Sequence, residues 1–249
     1  MNQSPKYSNI VIAIAALFFN FCLVNKLLDY SHSDQNTDQI LASTPQQFKL
    51  LETSQQDTDF SQFLDKFRQK ISDRDAQFVR NIMISDIQLS FGSQQEIEQL
   101  NLENPDAISW LHLEKAIAVG CSPIQINSSE PVNWQCPPLE AVATEKISPW
   151  EQVFIVGKQV NVRSQPKLES SIVQRVSEEV VRFDDEGLSQ LSTRQQETMS
   201  TIYSWIPVIL ANGQHGYVSS RYAYQLSDYR VLFAKLDGKW RLVSFLAGD

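Results

Sequence analysis

The sequence predicts an α+β chain standing behind an N-terminal membrane helix, and three observations carry that prediction. An apolar run occupies the extreme N-terminus, from Ile10 to Val24. The first half of the remaining chain repeats apolar residues at helical spacing around one alternating segment. The second half consists of short runs rich in Val, Ile, Phe, Tyr and Trp, separated by turn residues. An apolar content of 42% over 249 residues is enough to build packed cores.

The N-terminal run "NIVIAIAALFFNFCLVNKLL" is interrupted by Asn20 and extends to Leu28 past Asn25 and Lys26, with Lys6 ahead of it. Its length falls between a signal-peptide core and a full membrane helix. Residues 1–28 are read first as an uncleaved signal anchor and second as a cleaved signal peptide. Only Ser31 and Ser33 offer the small alternating residues that cleavage needs. Cys22 follows Phe21 where lipidation requires a small residue, which argues against a lipoprotein. Either reading exports the rest of the chain to an extracytoplasmic, periplasmic location. Residues 29–58, dominated by Gln, Ser, Thr and Asp, read as a flexible linker.

Phe60, Phe63, Leu64, Phe67 and Ile71 then follow the spacing of an amphipathic helix. Ser72 and Asp75 open a second short helix with Ala76, Val79 and Met83 inward. Ile87, Leu89 and Phe91 alternate as a strand ending at Gly92. "NPDAISWLHLEKAIAVG" predicts a third helix, closed by Gly120. Cys121 and Cys136 bracket a loop of turn formers. In an oxidising compartment a disulfide is the better reading, because no second pair or neighbouring His completes a metal site.

After Pro149 the runs "QVFIVGKQVNVRS", "SIVQRVS", "VVRFDD", "YSWIPVILANGQHGYVSS" and "YRVLFAKLDGKWRLVSFLAG" predict strands. Asn212-Gly213 and Asp237-Gly238 predict hairpins with type I′ turns. Residues 184–201 form an expanded polar loop.

Asn161-Val162-Arg163, Pro166, Ser170 to Val173, Trp205, Asn212-Gly213, Gly216-Tyr217-Val218 and Tyr222 together resemble a bacterial SH3 domain, a small β-barrel of exported proteins. The closing segment "SDYRVLFAKLDGKWRLVSFLAGD" is similar to the end of a family of such proteins with a preceding α+β segment and a paired-cysteine loop. The resemblance implies an SH3-like barrel over 150–227. It is set into a split α+β domain, 59–149 and 228–249, which the C-terminal hairpin completes. The alternative packs that hairpin on the barrel.

The chemistry expected is that of binding. Of three His, His32 lies in the linker, His112 reads as a partly exposed helix residue, and His215 falls in a turn. No zinc spacing, phosphate loop or free Cys/His pair occurs, so no catalytic residue, metal or cofactor is assigned. Glu178-Glu179 and Asp184-Asp185-Glu186 read as solvated turn acids. Arg163 is expected to pair with Asp184 or Glu151. Tyr203, Trp205, Tyr217 and Tyr222 are the candidate ligand-binding residues, since amphipathic aromatics suit peptides or sugars. For Trp205 the barrel interior is the stronger reading. A net charge of −8 and the absence of basic runs argue against nucleic acid. The expectation is a membrane-anchored, non-enzymatic protein that recognises a peptide, peptidoglycan or another envelope component. The alternative is a small-molecule sensor or accessory subunit, with its pocket under the Phe60 to Ile71 helix.

Overall fold

The computed structural model describes residues 45–50, 52–89, 97–124, 132–139 and 146–247. The predicted anchor, Phe91, Gly92 and residues 29–44 of the predicted linker lie outside them. Among the described residues no helix is long and apolar enough to cross a membrane.

The described residues are α+β, with two sheets and few helices. It opens with a short strand β1 (Gln46–Gln47), then α1 (Thr58–Ser72), α2 (Ala76–Ile82), β2 (Met83–Gln88), α3 (Ile108–Ile117), β3 (Ser122–Ile124) and β4 (Asn133–Cys136). Asp57 and Asp75 cap the first two helices, accepting from the amides of Phe60 at 3.0 Å and Phe78 at 2.9 Å. Such caps satisfy amide groups that the first helical turn leaves unpaired. Gly120, at φ 86°, ends the third helical stretch in the left-handed region.

Seven strands follow: β5 (Gln152–Ile155), β6 (Val160–Arg163), β7 (Ile172–Val176), β8 (Glu179–Phe183), β9 (Trp205–Ile209), β10 (His215–Ser219) and β11 (Ala223–Gln225). Between β8 and β9 lie two short helices, α4 (Asp185–Leu188) and α5 (Thr193–Glu197). They pair in the antiparallel order β11-β5-β8-β9-β10-β6-β7, with β1 added beside β8. This path ends at β7 and β11 and does not return on itself, so the expected barrel is an open sheet. It curls around an aliphatic core of Val153, Ile155, Val162, Val181, Ile206, Val208 and Val218. Trp205, expected in that interior, points away because Ile206 and Val208 hold the inward positions of its strand.

The last two strands, β12 (Arg230–Leu236) and β13 (Lys239–Leu246), belong to the second sheet, of order β2-β13-β12-β4-β3. Only β2–β13 is parallel within it, so this sheet is mixed. Its hairpin turn has Asp237 at φ 50° and Gly238 at φ 74°, as a two-residue type I′ turn demands. The Asn212-Gly213 hairpin differs. Leu210 and Gln214 close a three-residue loop in which Gly213 is left-handed and Asn212 is not.

The α1 rings fill the space over the second sheet. Phe60 stacks on Trp134 at 4.2 Å and meets Trp240 edge-on at 4.9 Å, while Phe67 lies 5.0 Å from Phe233. Cys121 and Cys136 form a disulfide that ties the end of the α3 segment to β4.

The polar stretch before α1 departs from the flexible linker expected over 29–58. The Phe48 amide donates to Glu178 at 2.8 Å and its ring lies edge-on to Phe154 at 5.7 Å. Glu52 accepts from the Cys121 amide at 3.5 Å and from the Ser54 hydroxyl. Phe48 and Leu50 supply the apolar contacts for this ordering, joining Leu139, Phe154, Val180 and Tyr224.

Candidate functional site

Successive side chains of β9 and β10 point to opposite faces of the first sheet. Ile206, Val208, Gly216 and Val218 face the aliphatic core, and Trp205, Pro207, His215, Tyr217 and Ser219 face outward. Tyr217 sits opposite Pro207 on one side and Arg163 on the other. Gly216 is required there by proximity, since a Cβ would lie 2.5 Å from Val162 Cγ1 and 3.0 Å from the Arg163 carbonyl.

The 184–201 insertion folds onto this outer face. Asp184, only 4% exposed, accepts from the Gly187 amide at 3.1 Å and from His215 Nδ1 at 2.7 Å. The carboxylate has no proton to give, so Nδ1 carries it. Tyr217 donates its hydroxyl to the Gly187 carbonyl at 3.2 Å, and the burial that accompanies this holds the phenol above its usual pKa. Gly187 packs so closely that a Cβ would stand 2.7 Å from Asp184 Oδ2 and 2.8 Å from Pro207 Cβ.

Between insertion and sheet lies an open cleft of about 270 Å³, lined by Ser164, Asp184, Glu186, Gly187, Gln190, His215, Gly216 and Tyr217. Its lining contains no Lys or Arg. The Glu186 carboxylate and His215 Nε2 have no hydrogen-bond or ion-pair partner among the described residues. The cleft therefore offers acceptors and negative charge beside an aromatic wall.

The four sequence-predicted binding residues are not gathered at one point. Tyr217 lines the cleft, and Trp205, half-buried, shares its face two residues along the neighbouring strand. Tyr203 is 63% exposed in the turn before β9. Tyr222 lies by Gly157, and its carbonyl accepts from the Val156 amide at 2.8 Å. Neither residue lines the cleft. Sequence reading passed over Asp184, treated as a solvated acid, and His215, treated as a turn residue. The "DDEG" pattern, an acid three residues before Gly187, is a cap signature that could have placed Asp184. Arg163 pairs with neither Asp184 nor Glu151. It donates to the Ser170 carbonyl at 2.7 Å, holding the β6–β7 loop.

A second polar cluster joins the two sheets. His112, expected to be partly exposed, is buried with Nε2 3.0 Å from the Ser200 hydroxyl and its ring stacked on Tyr229 at 4.0 Å. Burial, followed by the nearby Lys115 charge, lowers its pKa to about 4. Lys115, also buried, pairs with Asp228 at 2.9 Å, donates to the Met199 carbonyl at 3.2 Å and lies 5.1 Å over the Tyr224 ring.

Among the described residues no cluster of three or more His, Cys, Asp or Glu could hold a metal ion. Comparison of the chain with protein-family models, with curated proteins and with solved structures finds no match.

Proposed function

We propose that this chain is an extracytoplasmic, membrane-anchored binding protein of the bacterial SH3 type, without an enzymatic role. In this reading residues 150–227 are an SH3-like unit with an open sheet, set between the two parts of an α+β domain at 59–149 and 228–249. Its ligand is a peptide of the cell wall or another envelope component.

The observation that carries this reading is the cleft between the 184–201 insertion and the outer face of β9 and β10. It is concave, its floor is preorganised by the Asp184, Gly187 and Tyr217 bonds, and Tyr217 supplies an amphipathic wall. Trp205 extends the same face and is the second aromatic assigned to the ligand. Tyr203 and Tyr222 are assigned only to an extended ligand that reaches beyond the cleft.

The alternative, a small-molecule pocket under α1, has the packing against it, because Phe60, Phe63 and Phe67 are in ring-to-ring contact with Trp134, Phe233 and Trp240. The deciding experiment incubates the full chain, in detergent, with purified peptidoglycan at low salt. Retention that weakens on Tyr217→Ala or Trp205→Ala is expected. Absence of retention overturns the cell-wall reading.

A further inference from the structure

We infer that the cleft receives a protonated primary amine, held between the Glu186 carboxylate and the Nε2 edge of His215. This rests on the proposed peptide-binding reading and names the group that reading leaves open.

Charge and hydrogen-bonding capacity select the ligand. An ammonium has three donors and no acceptor. The cleft presents the complement. His215 Nδ1 faces Asp184 at 2.7 Å, so the tautomer with its proton on Nδ1 offers Nε2 as an acceptor, and 57% of the side chain remains exposed to a ligand. Glu186 adds a carboxylate with no partner among the described residues, and Asp184 lies behind the imidazole, bonded to it and to the Gly187 amide. A carboxylate or phosphate would find no Lys or Arg in the lining and would meet two acids. Among the described residues a bare metal ion would lack the cluster of ligands it needs. The volume of about 270 Å³ suits one amino-acid side chain with its flanking amides. An amine-bearing residue of an extended peptide meets all of these conditions.

The test uses the full chain in detergent micelles, with Nα-acetyl-lysinamide as the probe. Nuclear magnetic resonance follows the His215 imidazole and the Gly187 amide. Saturable shifts at both are expected, in the millimolar range suited to so small a ligand. Acetylation of the probe's side-chain amine should weaken binding by at least about tenfold, the usual scale for losing a charge-assisted hydrogen bond. Glu186→Gln should weaken the unmodified probe severalfold while leaving the spectrum of the folded protein unchanged elsewhere. Equal binding of the acetylated probe, absent shifts, or indifference to Glu186→Gln would each overturn the inference. Purified peptidoglycan with its free amines acetylated separates the two claims. If the chain is retained equally on acetylated and untreated material, the ammonium site falls and the envelope reading stands. If it is retained on neither, the envelope reading falls and the probe titration alone decides the cleft.

Discussion

A buried imidazole beside a buried ammonium has a definite cost in acid. His112 has a pKa of about 4 in the folded chain, against an ordinary value of 6.5. Between those values the unfolded state binds the extra proton, so stability falls as pH drops through that window and the loss is complete below it. The shift corresponds to a penalty on the order of 3 kcal/mol. Guanidinium unfolding of the full chain at pH 7, 5.5 and 4.5 should show midpoints falling with pH. His112→Gln, which keeps polar atoms for Ser200 but cannot titrate, should flatten that dependence relative to the parent. An unchanged slope in the variant would assign the acid sensitivity to other groups. The residue was legible as helical but not as buried. Its partner Ser200 lies 88 positions away, and no local pattern announces such a pairing.

At the scale of elements, periodicity carried the reading where each element buries one face. The Phe60 to Ile71 spacing gives α1 its stripe, and Asp237-Gly238 gives the terminal hairpin its turn, because both signals are local. Elements defined by distant partners escaped. β1 has two residues and pairs with β8, and Phe48 directly after it packs on Phe154. The insertion between β8 and β9 looks like polar loop, yet its Asp184 and Gly187 are fixed by β9 and β10. The disulfide sits between these extremes, inferred from composition and compartment. Cys121 and Cys136, 15 residues apart, tether the α3 segment to β4. Closing a loop of that size removes unfolded-state entropy worth about 3 kcal/mol in the chain-entropy model. Cys121→Ser with Cys136→Ser should lower unfolding free energy by about 2–4 kcal/mol in denaturant titration. A change well under 1 kcal/mol would mean that the loop is already constrained without the bond.

At the scale of the whole molecule, one ammonium group links three chain segments. Lys115 belongs to α3 over the second sheet, Met199 ends the insertion of the first sheet, and Asp228 lies where the chain passes from β11 to β12. The insertion thus forms the cleft at one end and reaches the other sheet's helix at its other end. Burial makes this junction asymmetric in its energetics. Removing one member of a buried pair strands the other charge at about 3–5 kcal/mol, whereas removing both is far less costly. Asp228→Asn and Lys115→Met should therefore each destabilise strongly, and the double variant should lose less than their sum, with a coupling of about 1–3 kcal/mol. Trp110, Trp134 and Trp240, three of the five Trp of the chain, pack over the second sheet and weight the fluorescence toward it, while far-ultraviolet circular dichroism weighs both sheets. In the parent chain the two signals should unfold together, because the sheets share the Lys115 junction and the Phe48 to Leu50 segment. In Asp228→Asn they should separate, the junction failing before either core. Additive single variants would show that Lys115 and Asp228 do not interact across the junction, and signals already separated in the parent would show that the two sheets do not unfold as one cooperative body.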